Sequence, residues 1–127
     1  MLFGPLGPSL APYIKPSRSL YKWIKPIADW YANAAGYRKY GFKYDDLLVE
    51  ERPDVQRALL RLSPHEKYDR AFRLKRASQA SVQHAPLPRE EWTKAAEDTR
   101  YLRTHVLDVV KENNERTMWD TIVIERK

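Results

Sequence analysis

The run SPHEKYDRAFRLKRASQASVQ, residues 63–83, decides the fold class. Ser63 stands where a helix N-cap is wanted. Its hydroxyl can accept from the N–H three residues on, Pro64 suits the first helical position, and Glu66 can reach back to the cap N–H. No further Gly or Pro interrupts the chain before Pro86, so the spacing predicts a helix to about Gln83. Its apolar stripe is thin: Tyr68, Ala71, Phe72 and Ala80. Its basic content is heavy: Lys67, Arg70, Arg73, Lys75 and Arg76. A helix this polar needs partners on more than one side or stays solvated.

Toward the N-terminus, Val55, Ala58, Leu59 and Leu62 give the apolar face of a helix from about Pro53 to Leu62. Residues 37–53 read as an irregular, anchored loop with one helical turn. There Tyr37, Tyr40, Phe42 and Tyr44 interleave with Arg38, Lys39 and Lys43. The charge then changes sign at Asp45-Asp46 and Glu50-Glu51. These acids are expected to cap helices and to pair with Arg38, Lys39 or Lys43. Further back, Leu20, Trp23, Ile24, Ile27, Trp30, Tyr31 and Ala34 recur at three- and four-residue spacings, with Lys22, Lys25, Asp29 and Asn33 opposite. That is an amphipathic helix. Pro26 inside it predicts a kink or two short helices, ending with Gly36 as the C-terminal cap. Residues 1–16 form a proline-interrupted extended arm.

Toward the C-terminus, Pro86 and Pro88 break the chain and Arg89 to Trp92 begins a short helical piece. Asp98 is the expected N-cap of a last helix to about Met118, buried through Leu102, Val106, Val109 and Val110. The tail from Thr121 through Ile122, Val123 and Ile124 is β-branched throughout and has the character of a strand. No second strand is evident, so the tail is expected to add to the edge of a partner's sheet. The chain is therefore predicted to be one all-α domain spanning 1–127: an arm over 1–16, a helical body over 17–118 and a strand-like tail over 119–127.

Charged residues make up 31% of the chain and aromatics 12%, with a mean hydropathy of −0.71. Disordered chains are poor in aromatics. A polar chain rich in Trp and Tyr is better explained by burial against another molecule, where Trp, Tyr and Arg dominate. There is no cysteine, which excludes a disulfide framework, a thiol nucleophile and a thiolate metal site. No stretch of about twenty apolar residues is present, as a transmembrane helix would need. The net charge of +6 suits nucleic acid, anionic lipid or an acidic protein surface. From Met1 to Ala28 there is no acid, while Lys15, Arg18, Lys22 and Lys25 are all basic. Such a segment resembles a mitochondrial targeting sequence, yet its structural aromatics predict that it is retained. No phosphate-binding glycine loop, metalloprotease histidine pair or nucleophile elbow occurs. His65, His84 and His105 show no ligand spacing. No catalytic, cofactor or metal residue is predicted.

Three blocks in order carry a family resemblance. The first is Ala35-Gly36-Tyr37-Arg38-Lys39-Tyr40-Gly41 with Lys43-Tyr44-Asp45-Asp46-Leu47-Leu48 and Glu50-Glu51. The second is Ala58-Leu59-Leu60-Arg61-Leu62 with Tyr68-Asp69-Arg70-Ala71-Phe72-Arg73. The third is Leu87-Pro88-Arg89-Glu90-Glu91-Trp92-Thr93-Lys94-Ala95. Together they resemble the 14 kDa subunit family of ubiquinol–cytochrome c reductase, respiratory complex III, over residues 28 to 107. The resemblance implies an all-helical accessory subunit without haem or iron–sulfur centre. It would lie peripherally on the matrix side of the mitochondrial inner membrane, within a dimeric complex. It would pack on cytochrome b and the core subunits, and be needed for assembly rather than electron transfer. The family has been called ubiquinone-binding and linked to proton uptake.

Candidate interface residues are Trp23, Trp30, Tyr37, Lys39, Tyr44, Asp45, Asp46, Arg89, Trp92, Ile122, Val123 and Ile124. Lys15, Arg18, Lys22 and Lys25 are candidates for facing anionic lipid, and Glu50 and Glu51 for relaying protons. No nucleic-acid partner is expected. The competing reading is a small mitochondrial RNA- or ribosome-associated basic protein, because the Tyr37–Tyr44 segment mixes stacking rings with cations.

Overall fold

A computed structural model describes residues 5–7 and 10–122. Among these residues five helices follow one another: α1 (Ala11–Ile14), α2 (Arg18–Ala34), α3 (Pro53–Leu60), α4 (Pro64–Val82) and α5 (Arg103–Asp120). Single 3-10 turns at Tyr37–Tyr40, Tyr44–Leu47 and Arg89–Glu91 fill the connections. Among the described residues there is no strand, and the fold is all-α.

The capping box forms as the sequence requires: the Ser63 hydroxyl accepts from Glu66 N–H at 3.3 Å, and Glu66 accepts from Ser63 N–H at 3.0 Å. Pro53 opens α3 and Pro64 opens α4, positions where a missing N–H costs nothing. Val55, Ala58 and Leu62 pack on Leu102, Val106 and Val109 of the α5 strip, with Leu6, Leu48, Leu59, Tyr101 and Val110 around them. This small α3–α5 seam is the apolar core.

Several expectations are corrected. Of the two forms expected around Pro26, the pair of short helices is not seen: one helix, α2, runs through Pro26. The proline costs the Lys22 carbonyl its helical partner, but Lys22 is exposed and water can serve that oxygen. The helix does stop where Gly36 adopts φ +78° and donates to Asn33 O at 3.3 Å. The N-terminal arm is not simply extended, since it includes α1 and brings Leu6 onto the core. The inward face of α4 is Arg70, Ala77 and Ala80, whereas Tyr68 and Phe72 point to solvent. The core is too small to cover α4, which is held by ion pairs instead. Asp98 does not cap α5. That helix begins at Arg103 and runs to Asp120. Thr121 is no strand residue: it ends α5, its N–H donating to Thr117 O at 3.1 Å, and Ile122 N–H reaches back to Trp119 O at 3.4 Å. Val123 and Ile124, the rest of the expected strand, lie outside the described residues.

Candidate functional site

The three sequence blocks converge in space around two aspartates and their cations. The Asp45 carboxylate is fully buried. It accepts from Leu102 N–H at 2.9 Å and from Arg103 N–H at 3.1 Å, and it pairs with the Arg100 guanidinium. It thus caps the N-terminus of α5 from 57 residues away, satisfying donors that a helix start leaves open. Asp46 accepts from Arg73 Nε at 2.7 Å, Arg70 Nη1 at 3.1 Å, the Tyr101 hydroxyl at 2.6 Å and Lys43 N–H at 2.9 Å. Burial pushes its pKa up, but the hydrogen bonds from Arg73, Tyr101 and the Lys43 backbone outweigh this and hold it below the usual 3.8. The pairing with Arg38, Lys39 or Lys43 side chains expected from the sequence does not occur. The cations come from α4 and from the start of α5, which only the tertiary fold brings near.

Asp98 anchors a second cluster. It accepts from the Tyr37 hydroxyl at 2.6 Å, Arg38 Nη2 at 2.8 Å and Tyr44 N–H at 2.8 Å. Burial is again overcome by these donors, so Asp98 is also held below 3.8. Burial and the adjacent carboxylates push Tyr37 and Tyr101 up to about 12. Residues 87–93 lie along the first block through Leu87 N–H to Lys39 O and Thr93 N–H to Arg38 O, both 3.1 Å. Trp92 donates to Leu87 O at 2.7 Å, with the Lys39 ammonium and the Arg89 guanidinium each within 6 Å of its ring centre. Asp45, Asp46 and Tyr37 are therefore committed inside the chain rather than offered to a partner. Arg70, Arg73, Asp98, Arg100 and Tyr101 hold this framework together; the sequence pointed to Asp98 only as a helix cap and to Arg70 and Arg73 only as part of a basic helix, and to Arg100 and Tyr101 not at all. Only the three-residue spacing of Arg70 and Arg73 hinted at a shared helix face.

What faces outward is different in kind. Helix α2 buries none of its residues. At about 100° per residue, Trp23, Ile24, Ile27, Trp30, Tyr31, Leu20 and Ala34 fall within an arc of about 120°. Five of these, Leu20, Trp23, Ile27, Trp30 and Tyr31, are between 52% and 77% exposed. Arg18, Lys22 and Lys25 lie on the opposite side, with Lys25 bound to Asp29 at 2.8 Å. The two faces are diametrically opposed, so a flat surface can meet one or the other but not both. Tyr44, Arg89 and Lys39 are also exposed, Trp92 is half-buried, and Ile122 lies exposed just past α5. The Tyr37–Tyr44 segment is no stacking platform: Tyr37 is buried, and the Arg100 guanidinium covers the Tyr44 ring at 4.3 Å.

Glu50 and Glu51 sit at the surface ahead of α3. Glu50 is paired with Arg70, and Glu51 has no ion-pair partner among the described residues. Arg70 leads on from Glu50 to Asp46, but a guanidinium does not give up its proton at ordinary pH. Arg70 therefore does not carry protons from Glu50 to Asp46. No cluster of three metal-binding side chains occurs among the described residues, and none of their helices is long and apolar enough to cross a membrane.

Residues 18–117 match the family described as the ubiquinol–cytochrome c reductase complex 14 kDa subunit. The chain is 44% identical over 118 residues to cytochrome b-c1 complex subunit 7 of Neurospora crassa, covering 93% of this chain and 96% of that protein. Its identity to the mitochondrial subunit 7 of Saccharomyces cerevisiae is 43% over 114 residues, 90% of each. To the human subunit 7 it is 42% over 98 residues, 77% of this chain and 87% of the human one.

Proposed function

Because this chain belongs to the family of the ubiquinol–cytochrome c reductase complex 14 kDa subunit, we propose that it is a non-catalytic accessory subunit of mitochondrial respiratory complex III that braces larger subunits. Its place in electron transport is that of the complex it joins. The observation that carries the bracing role is the bare apolar arc of α2, with Ile27 at its centre and Trp23 and Trp30 side by side along one edge. Rings left in water on an otherwise polar chain are what an assembly contact uses. An aromatic side chain buries about 150–250 Å², and central interface rings cost about 2 kcal/mol or more when truncated.

The polarity of α2 divides the work between its faces. The apolar arc seats on protein, with cytochrome b and the core subunits as the partners. The opposite stripe, Arg18 and Lys22 above all, faces anionic headgroups, where each cation contributes about 1 kcal/mol. Lys15 lies just ahead of that stripe. The chain thereby lies peripherally on the matrix side, wedged between membrane surface and protein, within the dimeric complex. Glu50 and Glu51 stand at the water-exposed rim. There Glu51, free of an ion pair, is the better placed to pass protons to a neighbouring subunit.

Native electrophoresis of detergent-solubilised mitochondria, with mass spectrometry of the band, tests the assignment. The wild-type chain is expected to comigrate with cytochrome b. Trp23→Ala with Trp30→Ala is expected to lower its occupancy in the complex at least tenfold. Comigration with ribosomal proteins instead would overturn the assignment. Full occupancy of the double variant would refute the role of α2.

A further inference from the structure

Beside the core, a cavity of about 450 Å³ opens between the N-terminal arm and α5. Its walls are Pro5, Leu6, Ala11 and Pro12 on one side and Leu107 and Val110 on the other. Gly7, at φ +74°, also lines it. Only glycine adopts that backbone readily. The charged residues lining the cavity are Lys15 and Arg103, both cationic. Neither has an acidic partner within 4 Å among the described residues. Asp45, which accepts from the Arg103 backbone N–H, is buried and already paired with Arg100. Arg103, Leu107 and Val110 recur at spacings of four and three, a stripe of α5 beside the one that packs on α3. Leu107 is nearly half exposed, so this apolar wall is wetted rather than closed.

An apolar groove with two unpaired cations is complementary to an anionic amphiphile. Its volume lies within the range of about 300–1,000 Å³ usual for small-ligand sites. Free phosphate would leave the walls unused. An acidic peptide would need backbone hydrogen-bond partners, which these aliphatic and proline side chains do not offer. We propose that the groove holds one acyl chain of an anionic phospholipid, with its phosphate at Lys15 and Arg103. This rests on the membrane-surface placement proposed above and adds a defined lipid site to it.

The test uses the purified complex containing this subunit, reconstituted with phosphatidylglycerol bearing a photoreactive diazirine in its acyl chain. Phosphatidylcholine with the same tail is the control. Adducts are mapped by peptide mass spectrometry. Wild-type complex is expected to carry adducts on the α5 wall near Leu107 and Val110, at least tenfold more with phosphatidylglycerol than with phosphatidylcholine. Lys15→Glu with Arg103→Glu should abolish that preference, and Val110→Trp should fill the groove and remove adducts from both lipids. Equal labelling of the wild type by the two lipids, or adducts only elsewhere on the chain, would overturn the site. The wild-type comparison decides the matter even where a variant fails to assemble. Its outcome is separable from the parent reading. A subunit present in the complex but unlabelled removes the lipid site alone, whereas a subunit absent from the complex removes both.

Discussion

Replacing Asp45 by alanine should detach the start of α5 while leaving α3 and α4 helical. The carboxylate does two jobs at once. It accepts from Leu102 and Arg103 N–H, and Leu102 is completely buried, so water cannot take its place. Loss of a helix cap costs about 1–2 kcal/mol, and the buried donor puts this case at the upper end. The second job is the ion pair with Arg100. That side chain is 37% exposed and keeps part of its hydration, so its share is about 1 kcal/mol after screening. Together the loss is about 3 kcal/mol, or more than a hundredfold in the local opening equilibrium at about 1.4 kcal/mol per factor of ten. Hydrogen–deuterium exchange of the assembled complex reads this directly. Amides from Leu102 to Val109 should exchange more than a hundredfold faster in Asp45→Ala, while those of α4 from Ala71 onward change little. Asp45→Asn keeps an acceptor for the backbone donors and should fall between. Unchanged exchange at Leu102 to Val106, at equal subunit occupancy, would refute the long-range cap.

Gly41→Ala tests the packing of the first block on α4. At φ +75° an added Cβ would sit 3.0 Å from Arg76 Cζ and 3.1 Å from Leu87 Cδ1, on top of a backbone cost of about 1–2 kcal/mol. Gly7→Ala carries only the backbone cost, because nothing lies within 4 Å. The urea midpoint should therefore fall further for Gly41→Ala, and equal midpoints would show that Arg76 simply moves aside. Stability should fail at both ends of the pH scale. Asp46 and Asp98 are held below 3.8, so their contribution is complete above that value and is lost as the pH falls through and below it. Tyr37 and Tyr101, raised to about 12, contribute below pH 10 and lose that contribution as the pH rises toward 12. Circular dichroism showing constant helicity from pH 7 to pH 2 would contradict the acid limb. For proton traffic, quinone-reduction turnover should drop severalfold in Glu51→Gln and less in Glu50→Gln, whose partner Arg70 already limits it. Unchanged rates across pH in both variants, at equal complex levels, would remove the relay.

The sequence by itself determined helices α2 to α5 and the family, but not α1, which lies in the arm read as extended. The Ser63 capping box, the opening prolines of α3 and α4, the Gly36 stop and the apolar spacings of α2, α3 and α5 are local properties. Backbone hydrogen bonds within a helix span four residues, so such signals are complete within one or two turns. The local signals failed where a side chain answered to something distant. Asp98 looked like the cap of α5, but Asp45 does that work from the other end of the domain. Asp98 instead ties Tyr37, Arg38 and Tyr44 together. Tyr68 and Phe72 read as a core stripe, but the core ends at the α3–α5 seam and leaves them in water. Which cation meets which carboxylate depends on how α4 and α5 cross the loop over 37–48, and no spacing along the chain encodes that crossing. The bare face of α2 was visible as an amphipathic pattern. That nothing among the described residues covers it was decided only by the tertiary structure, because a sequence states which residues avoid water and not which of them the fold has room to bury.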